Sequence, residues 1–239
     1  MKQASHCDNC TLCQHKLCAR RVPIFQELNQ DELNHVVQLI IRKKYSKGEM
    51  IVFEDGLLDS LMIINRGQVK AFRDTQEGKE QILYIFSEGD FFGEKNLLIT
   101  QKASYHVEAL EETLICMIQS RDFLKLLKEY PEISLKIVEQ LSHRIDRLEQ
   151  MIRNMGTKNI EARVSAVLLE FAMKYGKEQS EGVLIELPLS REGIANYIGV
   201  ARETVSRKLS ILQEEGIINM IGNKKVVILD KKALENEVE

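Results

Sequence analysis

The spacing of hydrophobic residues changes several times along this chain, and each change predicts a different kind of element. From Ile133 to Met155, apolar residues recur at steps of three or four, which predicts one long amphipathic helix. Before it, from Lys44 to Met117, short apolar runs rich in β-branched and aromatic residues alternate with glycines. That rhythm is typical of the strands of an antiparallel sandwich or roll. After the long helix, two shorter helical stripes flank Gly199. The pattern therefore predicts an α+β protein.

Capping and breaking residues place further elements. Asn29 and Glu32 form a capping pair at the start of a helix, and a helix over Ser120 to Glu129 should end before Pro131. The remaining predictions all lie beyond the long helix. They are a helix over Ile160 to Tyr175, a surface loop over Gly176 to Gly182, a strand before Pro188, and a frayed end from Lys231.

Residues 190 to 213 carry the first pattern that points to a function. Ser190 is a candidate N-cap for the first of two short helices, and Gly199 falls where a tight turn is needed. Two helices joined by such a turn form a helix-turn-helix, whose second helix enters the DNA major groove. The apolar stripe of the second helix consists of Val205, Leu209 and Leu212.

Polar residues on the other face of that helix have side chains suited to reading bases. Arg202 and Arg207 can bind guanine bidentately, Glu203 can accept from the cytosine amino group, and Ser206 is a permissive partner. The alternative is a solvated charged face with no ligand. Because the stripe, the turn glycine and the polar cluster coincide, the sequence favours DNA binding.

Two apolar runs around Gly222 and Asn223 predict a hairpin after the second helix. A hairpin in this position completes a winged helix. Lys224 and Lys225, at the turn, are suited to phosphate contacts that add affinity without sequence choice.

The long helix carries a narrow apolar seam, as coiled coils do. The stripe could instead pack against the chain's own sheet. Its length and narrowness favour pairing with a second copy, and two helix-turn-helix units would read half-sites about one DNA turn apart. The predicted homodimer interface consists of Ile137, Leu141, Ile145, Leu148, Ile152 and Met155.

Four of the five cysteines lie near the start of the chain, and the fifth, Cys116, lies in a distant apolar run. Without a secretory signal, such spacing favours a metal site over disulfides. Closely spaced thiolates suit an iron–sulfur cluster. Zinc is the alternative metal, and His6 or His15 could join such a site. The four N-terminal cysteines are Cys7, Cys10, Cys13 and Cys18.

The run R-E-T-V-S-R at Arg202 to Arg207 resembles the CRP/FNR family of bacterial transcription regulators. The order of cysteine run, strands, long helix and winged helix also resembles that family. The resemblance implies base-reading roles for Glu203 and Arg207 in both main branches. Arg202 matches a position used in the cyclic-AMP receptor branch, and Ser206 one used in the FNR branch.

The resemblance also implies a domain organisation. An N-terminal β-roll like that of cyclic-nucleotide-binding domains would be followed by a dimerisation helix and a C-terminal winged helix-turn-helix. The implied segments are a cysteine-rich segment at 1–28, a β-roll sensor domain at 29–131, a dimerisation helix at 132–156 and a DNA-binding domain at 157–239.

FNR-type oxygen sensors hold a [4Fe-4S] cluster with three N-terminal cysteines and one distant cysteine. Cys116, in its T-L-I-C context, matches the distant ligand. The resemblance implies that Cys10, Cys13 and Cys18 are the other three, with Cys7 as the alternative to Cys10.

The cyclic-nucleotide motif is incomplete. Gly93 and Glu94 match residues that bind the ribose in the cyclic-AMP branch. The arginine that should neutralise the phosphate is replaced by Ala103, with Lys102 one step earlier, so a buried phosphate would be poorly paired. The long helix also lacks the Thr-Ser pair that meets the adenine. Cyclic AMP is therefore disfavoured, and Gly93 and Glu94 are interpreted as turn and fold residues.

Composition restricts the partners. The net charge is −3, so affinity for nucleic acid must come from a local patch. No apolar run approaches a membrane span, so a cytoplasmic location without membrane partners is expected. No nucleotide-binding glycine loop or nucleophile–base pair indicates an enzyme.

The sequence thus predicts a DNA-binding transcription regulator whose dimerisation and affinity for a palindromic operator depend on a [4Fe-4S] cluster. The cluster would sense oxygen, redox state or nitric oxide, and RNA polymerase is an expected partner if the protein activates transcription. One alternative is a regulator of the same fold gated by a small molecule in the β-roll, with zinc or redox-active thiols at the N-terminus. Another is an iron–sulfur electron-transfer protein.

Overall fold

The computed structural model describes residues 19–99, 101–157 and 160–238. The described chain divides into two compact units. The first contains the residues up to Ala71 together with Phe86–Arg144, and the second contains Phe72–Ile85 and the residues from Ile145 onward. The division of the chain at 28, 131 and 156 stays a prediction.

The N-terminal strands form two four-stranded sheets, in the orders β1-β8-β3-β6 and β2-β7-β4-β5. Glycine at position 67 is required between β3 and β4, because its φ is 92° and a Cβ would lie 2.6 Å from Thr113 Oγ1. The strands are β1 Ile41–Tyr45, β2 Met50–Val52, β3 Ser60–Arg66, β4 Val69–Asp74, β5 Glu80–Phe86, β6 Phe91–Phe92, β7 His106–Ala109 and β8 Thr113–Gln119.

The helices around this β-roll begin where the sequence predicts. Asn29 accepts from the backbone N–H of Glu32 at 3.1 Å, and Glu32 accepts from the N–H of Asn29 at 2.7 Å, so the capping pair is confirmed. The helix predicted from Ser120 to Glu129 has those bounds. The helices are α1 Gln30–Gln38, α2 Glu94–Ile99, α3 Ser120–Glu129 and α4 Pro131–Thr157.

The core of the first unit includes the chain that directly follows the N-terminal cysteines. Ala19 is 3% exposed, and the residues after it pack against the same cluster as Cys116. Burial of several large apolar side chains, each worth about 1.5–3 kcal/mol, fixes this segment on the roll. The buried residues of the segment are Ala19, Val22, Ile24, Phe25 and Leu28.

The second unit contains the winged helix that the sequence predicts. The wing strands pair antiparallel, with Ile221 opposite Lys225, in a sheet of order β11-β12-β10-β9. The elements are α5 Ile160–Tyr175, β9 Gly176–Gln179, β10 Gly182–Glu186, α6 Arg191–Ile198, α7 Arg202–Glu214, β11 Ile218–Ile221, β12 Lys225–Ile228 and α8 Lys231–Asn236. The predicted α+β fold, with β-roll, long helix and winged helix-turn-helix, is confirmed.

Two local predictions in this unit are wrong. The polar stretch predicted as a loop begins with strand β9, which is exposed along its length but pairs with β10. The tail predicted to fray forms α8, capped by Asp230, with Leu234 fully buried. Strand β9 pairs with the strand that directly follows it, whereas the end of the tail is held by Ser165 and Lys208, which are distant in sequence.

Helices long and apolar enough to cross a membrane are absent from the described ranges.

Candidate DNA interface and metal centre

The recognition helix α7 is fixed by local signals at its junction with α6. Ser190 Oγ accepts from the N–H of Gly193 at 3.1 Å and starts α6. Gly199, with φ of 70°, ends that helix in the left-handed conformation, which glycine adopts at little cost. Val205, Leu209 and Leu212 are buried along one side of α7, as predicted. These contacts leave the opposite side open to solvent.

That open side presents the predicted base-reading residues. Arg202, Glu203 and Arg207 are exposed, and Ser206 is half-buried. Arg207 Nη2 donates to Glu161 Oε1 at 3.1 Å, with 65% of the arginine side chain exposed. An exposed ion pair of this kind contributes only about 0–1 kcal/mol, so it could be exchanged for a DNA contact. The roles of these four residues in reading bases stay predictions.

The predicted phosphate-binding lysines lie at the wing turn. Lys224 and Lys225 are both exposed, and the backbone carbonyl of Lys224 accepts from the N–H of Leu187 at 2.7 Å. This bond anchors the turn and leaves both ammonium groups in solvent. The arrangement suits phosphate contacts, which require accessible positive charge.

A buried polar network that the sequence interpretation missed supports α7 from behind. Lys208 is 6% exposed, and its Nζ donates to Glu237 Oε1 at 2.7 Å. Ser165 Oγ in α5 donates to the other oxygen, Oε2, of Glu237 at 2.6 Å. Lys208 follows Val205 by three residues on the apolar side of α7. A lysine in that position was the available signal for a buried partner.

Cys116, the predicted distant metal ligand, lies at the centre of a sheet in the first unit. It is 4% exposed in β8, between Arg42 of β1 and Ile63 of β3. It lines a pocket of about 430 Å³, a volume that includes space open to solvent. The other polar residues of that lining are Arg21, Arg42, Asn65 and Glu88.

The N-terminal chain reaches the same pocket. Ala19 lines it, and Ala19 is bonded directly to Cys18. The chain therefore enters the pocket wall one residue after the last of the N-terminal cysteines. Those cysteines, Cys7, Cys10, Cys13 and Cys18, lie outside the described residues. Within the described ranges no group of three or more metal-binding side chains is assembled.

Arg42 is unusual in this pocket. Its Nε and Nη2 atoms are buried and have no hydrogen-bond partner among the described residues. The pocket's carboxylate, Glu88, is bound instead to Arg21 Nη1 at 2.6 Å. Unpaired buried polar atoms are rare, since each costs about 1–3 kcal/mol, and they require an explanation.

The cyclic-nucleotide motif has a different partner in this chain. Glu94 is 3% exposed, and Arg144 Nη1 of α4 donates to its Oε1 at 2.7 Å. The same guanidinium lies 4.9 Å from the centre of the Phe91 ring and also donates to the Phe91 carbonyl. Burial raises the pKa of Glu94 in spite of the nearby arginine. One oxygen of the carboxylate that matches a ribose contact is therefore already paired within the chain, whereas the other, Oε2, is buried without a described partner.

The phosphate end of that motif also differs from the cyclic-AMP branch. Ala103 is buried, and its backbone bonds to Gly56 and Asp55. Lys102 is exposed. The position that should carry a phosphate-binding arginine thus contributes to packing.

The structure changes the predicted seam of α4. Ile137 is 2% exposed and packs in the core of its own chain, so its assignment to a dimer seam is corrected. Leu141 is partly buried against the same core, and Leu148 is half-buried. Ile145 and Ile152 remain 55% and 69% exposed, as the seam requires. The side chain of Met155 lies outside what the structure describes.

Val138, the residue after Ile137, continues the heptad spacing of the exposed side of α4. Val138 is 61% exposed, and it precedes Ile145 and Ile152 by one and two heptads. Leu141 and Leu148 follow Val138 and Ile145 by three residues. The exposed side of α4 therefore has the a and d spacing of a coiled coil, beginning one residue later than predicted.

Comparison with known protein families gives two matches. Residues 42–130 match the cyclic nucleotide-binding domain, and residues 162–237 match the Crp-like helix-turn-helix domain. The two matched ranges correspond to the strands of the β-roll and to the winged helix described above.

Several curated relatives match over almost the full chain. The chain is 31% identical to Electron transport regulator A of Shewanella oneidensis over 232 residues, 97% of this chain and 89% of that protein. It is also 31% identical to the Fumarate and nitrate reduction regulatory protein of Vibrio cholerae, with the same coverage.

Among solved structures, FixK2 from Bradyrhizobium japonicum is similar, with a TM-score of 0.75 and 25% identity. The match covers 84% of this chain and 98% of that one. A CooA mutant from Carboxydothermus hydrogenoformans also gives a TM-score of 0.75 at 25% identity, covering 85% and 90% of the two chains.

Members of the family to which these relatives belong are transcription regulators that act as dimers, and they are not enzymes. With a helix-turn-helix whose recognition face is open and with relatives of 31% identity along nearly all its length, the chain belongs to the CRP/FNR family of DNA-binding transcription regulators.

Proposed function

We propose that this protein is an FNR-like regulator whose dimerisation and DNA affinity depend on a [4Fe-4S] cluster. The observation that carries the proposal is the pocket shared by Cys116 and Ala19. It brings the one cysteine of the sheet and the chain next to Cys18 to the same wall. Relatives named anaerobic regulatory protein, from Pasteurella multocida and Haemophilus influenzae, support the same conclusion.

The residues of the pocket fit such a group. Its donors would be Cys116 and the three N-terminal residues Cys10, Cys13 and Cys18, with Cys7 as the alternative to Cys10. Thiolates are the ligands that iron–sulfur clusters require. Orphaned donors on Arg42 at the same pocket suit a ligand with acceptor sulfurs and negative charge. When bound, the cluster would supply a centre that oxygen or nitric oxide can destroy.

In this switch, the protein would hold strand β8 and the N-terminal segment together. Cys116 would be anchored through β8, and the N-terminal ligands through the buried segment that begins at Ala19. That segment packs with Ile133 and Ile137 of α4 in one hydrophobic cluster. Release of the ligands would therefore loosen a cluster that also supports the dimerisation helix.

Pairing of α4 with a second copy is supported by its exposed a positions and its half-buried d positions. Val138, Ile145 and Ile152 are β-branched residues at a, and Leu141 and Leu148 are leucines at d. This combination favours two parallel strands. A parallel pair would place two α7 helices for a palindromic operator, with RNA polymerase as a further partner if the protein activates transcription.

In the DNA complex, Arg207 and Glu203 would read base edges, assisted by Arg202 or Ser206. Lys224 and Lys225 would bind phosphates. A coupling of about 3 kcal/mol between cluster and dimer would change operator affinity more than a hundredfold.

The test is anaerobic purification followed by iron and sulfide analysis and a visible spectrum. We expect a brown protein that bleaches in air, whereas Cys116→Ser should lack the cluster. A matched control is Cys7→Ser, which should keep the cluster if Cys10 is the ligand. A colourless wild-type protein, or one that contains only zinc, would refute the proposal.

A regulator of the same fold gated by a small molecule is the second candidate, because residues 42–130 match the cyclic nucleotide-binding domain. That protein would bind its operator equally well with and without air and would require an added effector. The electron-transfer alternative is wrong, because the chain belongs to a family of transcription regulators.

A further inference from the structure

Arg42 and Cys116 are neighbours across two antiparallel strands. The register of β1 and β8 places Arg42 directly opposite Cys116. Side chains opposite each other in such a pair lie on the same face, with Cβ atoms about 4.5–5.5 Å apart. Both residues also line the pocket that Ala19 reaches. The pairing of the two strands therefore places Arg42 beside Cys116, the proposed metal ligand.

The guanidinium of Arg42 has hydrogen-bond donors that no described residue uses. A guanidinium remains protonated at any physiological pH and carries five N–H donors. The buried Nε and Nη2 of Arg42 donate to none of the described residues. Glu88, the carboxylate of the pocket, already accepts from Arg21. Buried donors without an acceptor are costly, and the group that carries them is positively charged. The pocket is therefore suited to a negatively charged occupant that accepts hydrogen bonds.

We propose that Arg42 is a positioning residue for the cluster, donating hydrogen bonds to its sulfur atoms and offsetting its negative charge. This inference rests on the proposed function, because four thiolates outweigh the positive charge of the iron–sulfur core. Net charge and hydrogen bonds to sulfur set the reduction potential of such clusters. Arg42 would thus determine how easily the cluster is oxidised and lost, although it is not a ligand.

Lys43 provides a matched control on the same strand. Because successive side chains of a strand point to opposite faces, Lys43 points away from Cys116. Its Nζ lies 4.7 Å from the centre of the Tyr45 ring, and it is exposed. Lys43→Met and Arg42→Met remove the same charge from adjacent positions. Only the second change removes donors from the pocket.

The experiment compares wild type, Arg42→Met, Arg42→Lys and Lys43→Met, all prepared without oxygen. We expect Arg42→Met to lose its iron to a chelator about ten times faster than wild type, the range typical of outer-sphere partners of metal ligands. Its midpoint potential should become more negative, by about 59 mV for each tenfold change in the equilibrium constant of one-electron reduction. Arg42→Lys should lie between the two, and Lys43→Met should match wild type.

Thermal unfolding of the iron-free proteins distinguishes a structural role of Arg42 from a role in positioning the cluster. Since the buried donors of Arg42 have no described partner, Arg42→Met should not lower the unfolding temperature of the iron-free protein. A lower unfolding temperature would indicate a structural role and contradict the inference.

Two other outcomes are distinguishable. If wild type holds the cluster and Arg42→Met has the same potential and the same rate of iron loss, the role of Arg42 is refuted and the proposed function stands. Equal effects of Arg42→Met and Lys43→Met would also refute it, because they would reflect net charge alone. Wild type without iron would refute the proposed function itself.

Discussion

The recognition helix and the cysteine pocket show two ways in which a sequence can specify a site. The predicted base-reading residues lie within two turns of α7, next to a cap and a turn glycine that fix the helix locally. The pocket instead combines β1, β3, β8 and the chain from Ala19, which are up to about a hundred residues apart. A local site can be recognised from a short motif, whereas an assembled site requires the fold.

The difference also concerns charge. Arg207 on α7 is 65% exposed, and its ion pair with Glu161 is open to exchange. Arg42 in the pocket has buried donors without a described partner. An exposed arginine can bind many kinds of ligand. An arginine with buried donors requires a ligand that accepts hydrogen bonds, because the loss of hydration must be compensated.

The largest effect is expected on α4, the proposed dimerisation helix. Ile145→Glu places a carboxylate at an exposed a position of the proposed seam, so dimer affinity should fall more than about a hundredfold. Sedimentation at micromolar concentration measures it. The control is His143→Glu, which is also exposed but lies away from the seam. A dimer that survives Ile145→Glu would contradict the seam.

A change in the recognition helix should weaken DNA binding without affecting the cluster pocket. Arg207→Met should weaken operator binding about five- to 150-fold, the equivalent of 1–3 kcal/mol for one bidentate base contact. Iron content should be unchanged. The comparison is Lys225→Met, which should weaken binding equally for all DNA sequences and reduce its salt dependence. Equal losses on specific and random DNA would show that Arg207 binds phosphate rather than a base.

The recognition helix also depends on a residue that is distant in sequence, Glu237. Glu237→Gln should reduce the free energy of unfolding by about 1–3 kcal/mol, because buried Lys208 loses its charged partner. The control is Glu235→Gln, in an exposed pair 3.7 Å from Lys231, which should cost almost nothing. Denaturant unfolding measures both. Equal effects would contradict a positioning role for the buried network.

The smallest effect concerns pH and Glu94. Its pKa in the folded chain is raised by burial above the ordinary value of 4.5. The folded state therefore holds a proton that the unfolded state has released, and stability falls as pH rises from about 4.5 to the raised value. One pKa unit corresponds to about 1.4 kcal/mol. Unfolding of Glu94→Gln should lack this decline; an identical pH profile would contradict the assignment.

Several helix boundaries could be predicted because they depend on neighbouring residues. Asn29 with Glu32, Gly199, and the ends of α3 and α5 are set by caps, breakers and helical spacing. The tail helix α8 could not, because Leu234 is buried and Glu237, just after the helix, is held by Ser165 of α5 and Lys208 of α7. Contacts between distant segments leave no local pattern.

The seam of α4 illustrates a finer limit. Ile137 and Val138 are adjacent apolar residues, and the helical period alone permits either to face outward. The core of the β-roll takes Ile137, which leaves Val138 exposed. The position of Arg42 beside Cys116 could not be predicted for a similar reason, because the run R-K-K on a strand resembles any run of solvent-exposed charges. Only its register opposite Cys116 distinguishes it.

The most direct test of the account is operator affinity measured on one sample before and after air. A palindromic duplex, selected with the anaerobic protein, would be titrated by fluorescence anisotropy while iron is measured in parallel. We expect affinity to fall more than about a hundredfold as the iron is lost, and to return when the cluster is rebuilt without oxygen. Equal affinity of the iron-loaded and iron-free protein would contradict the account.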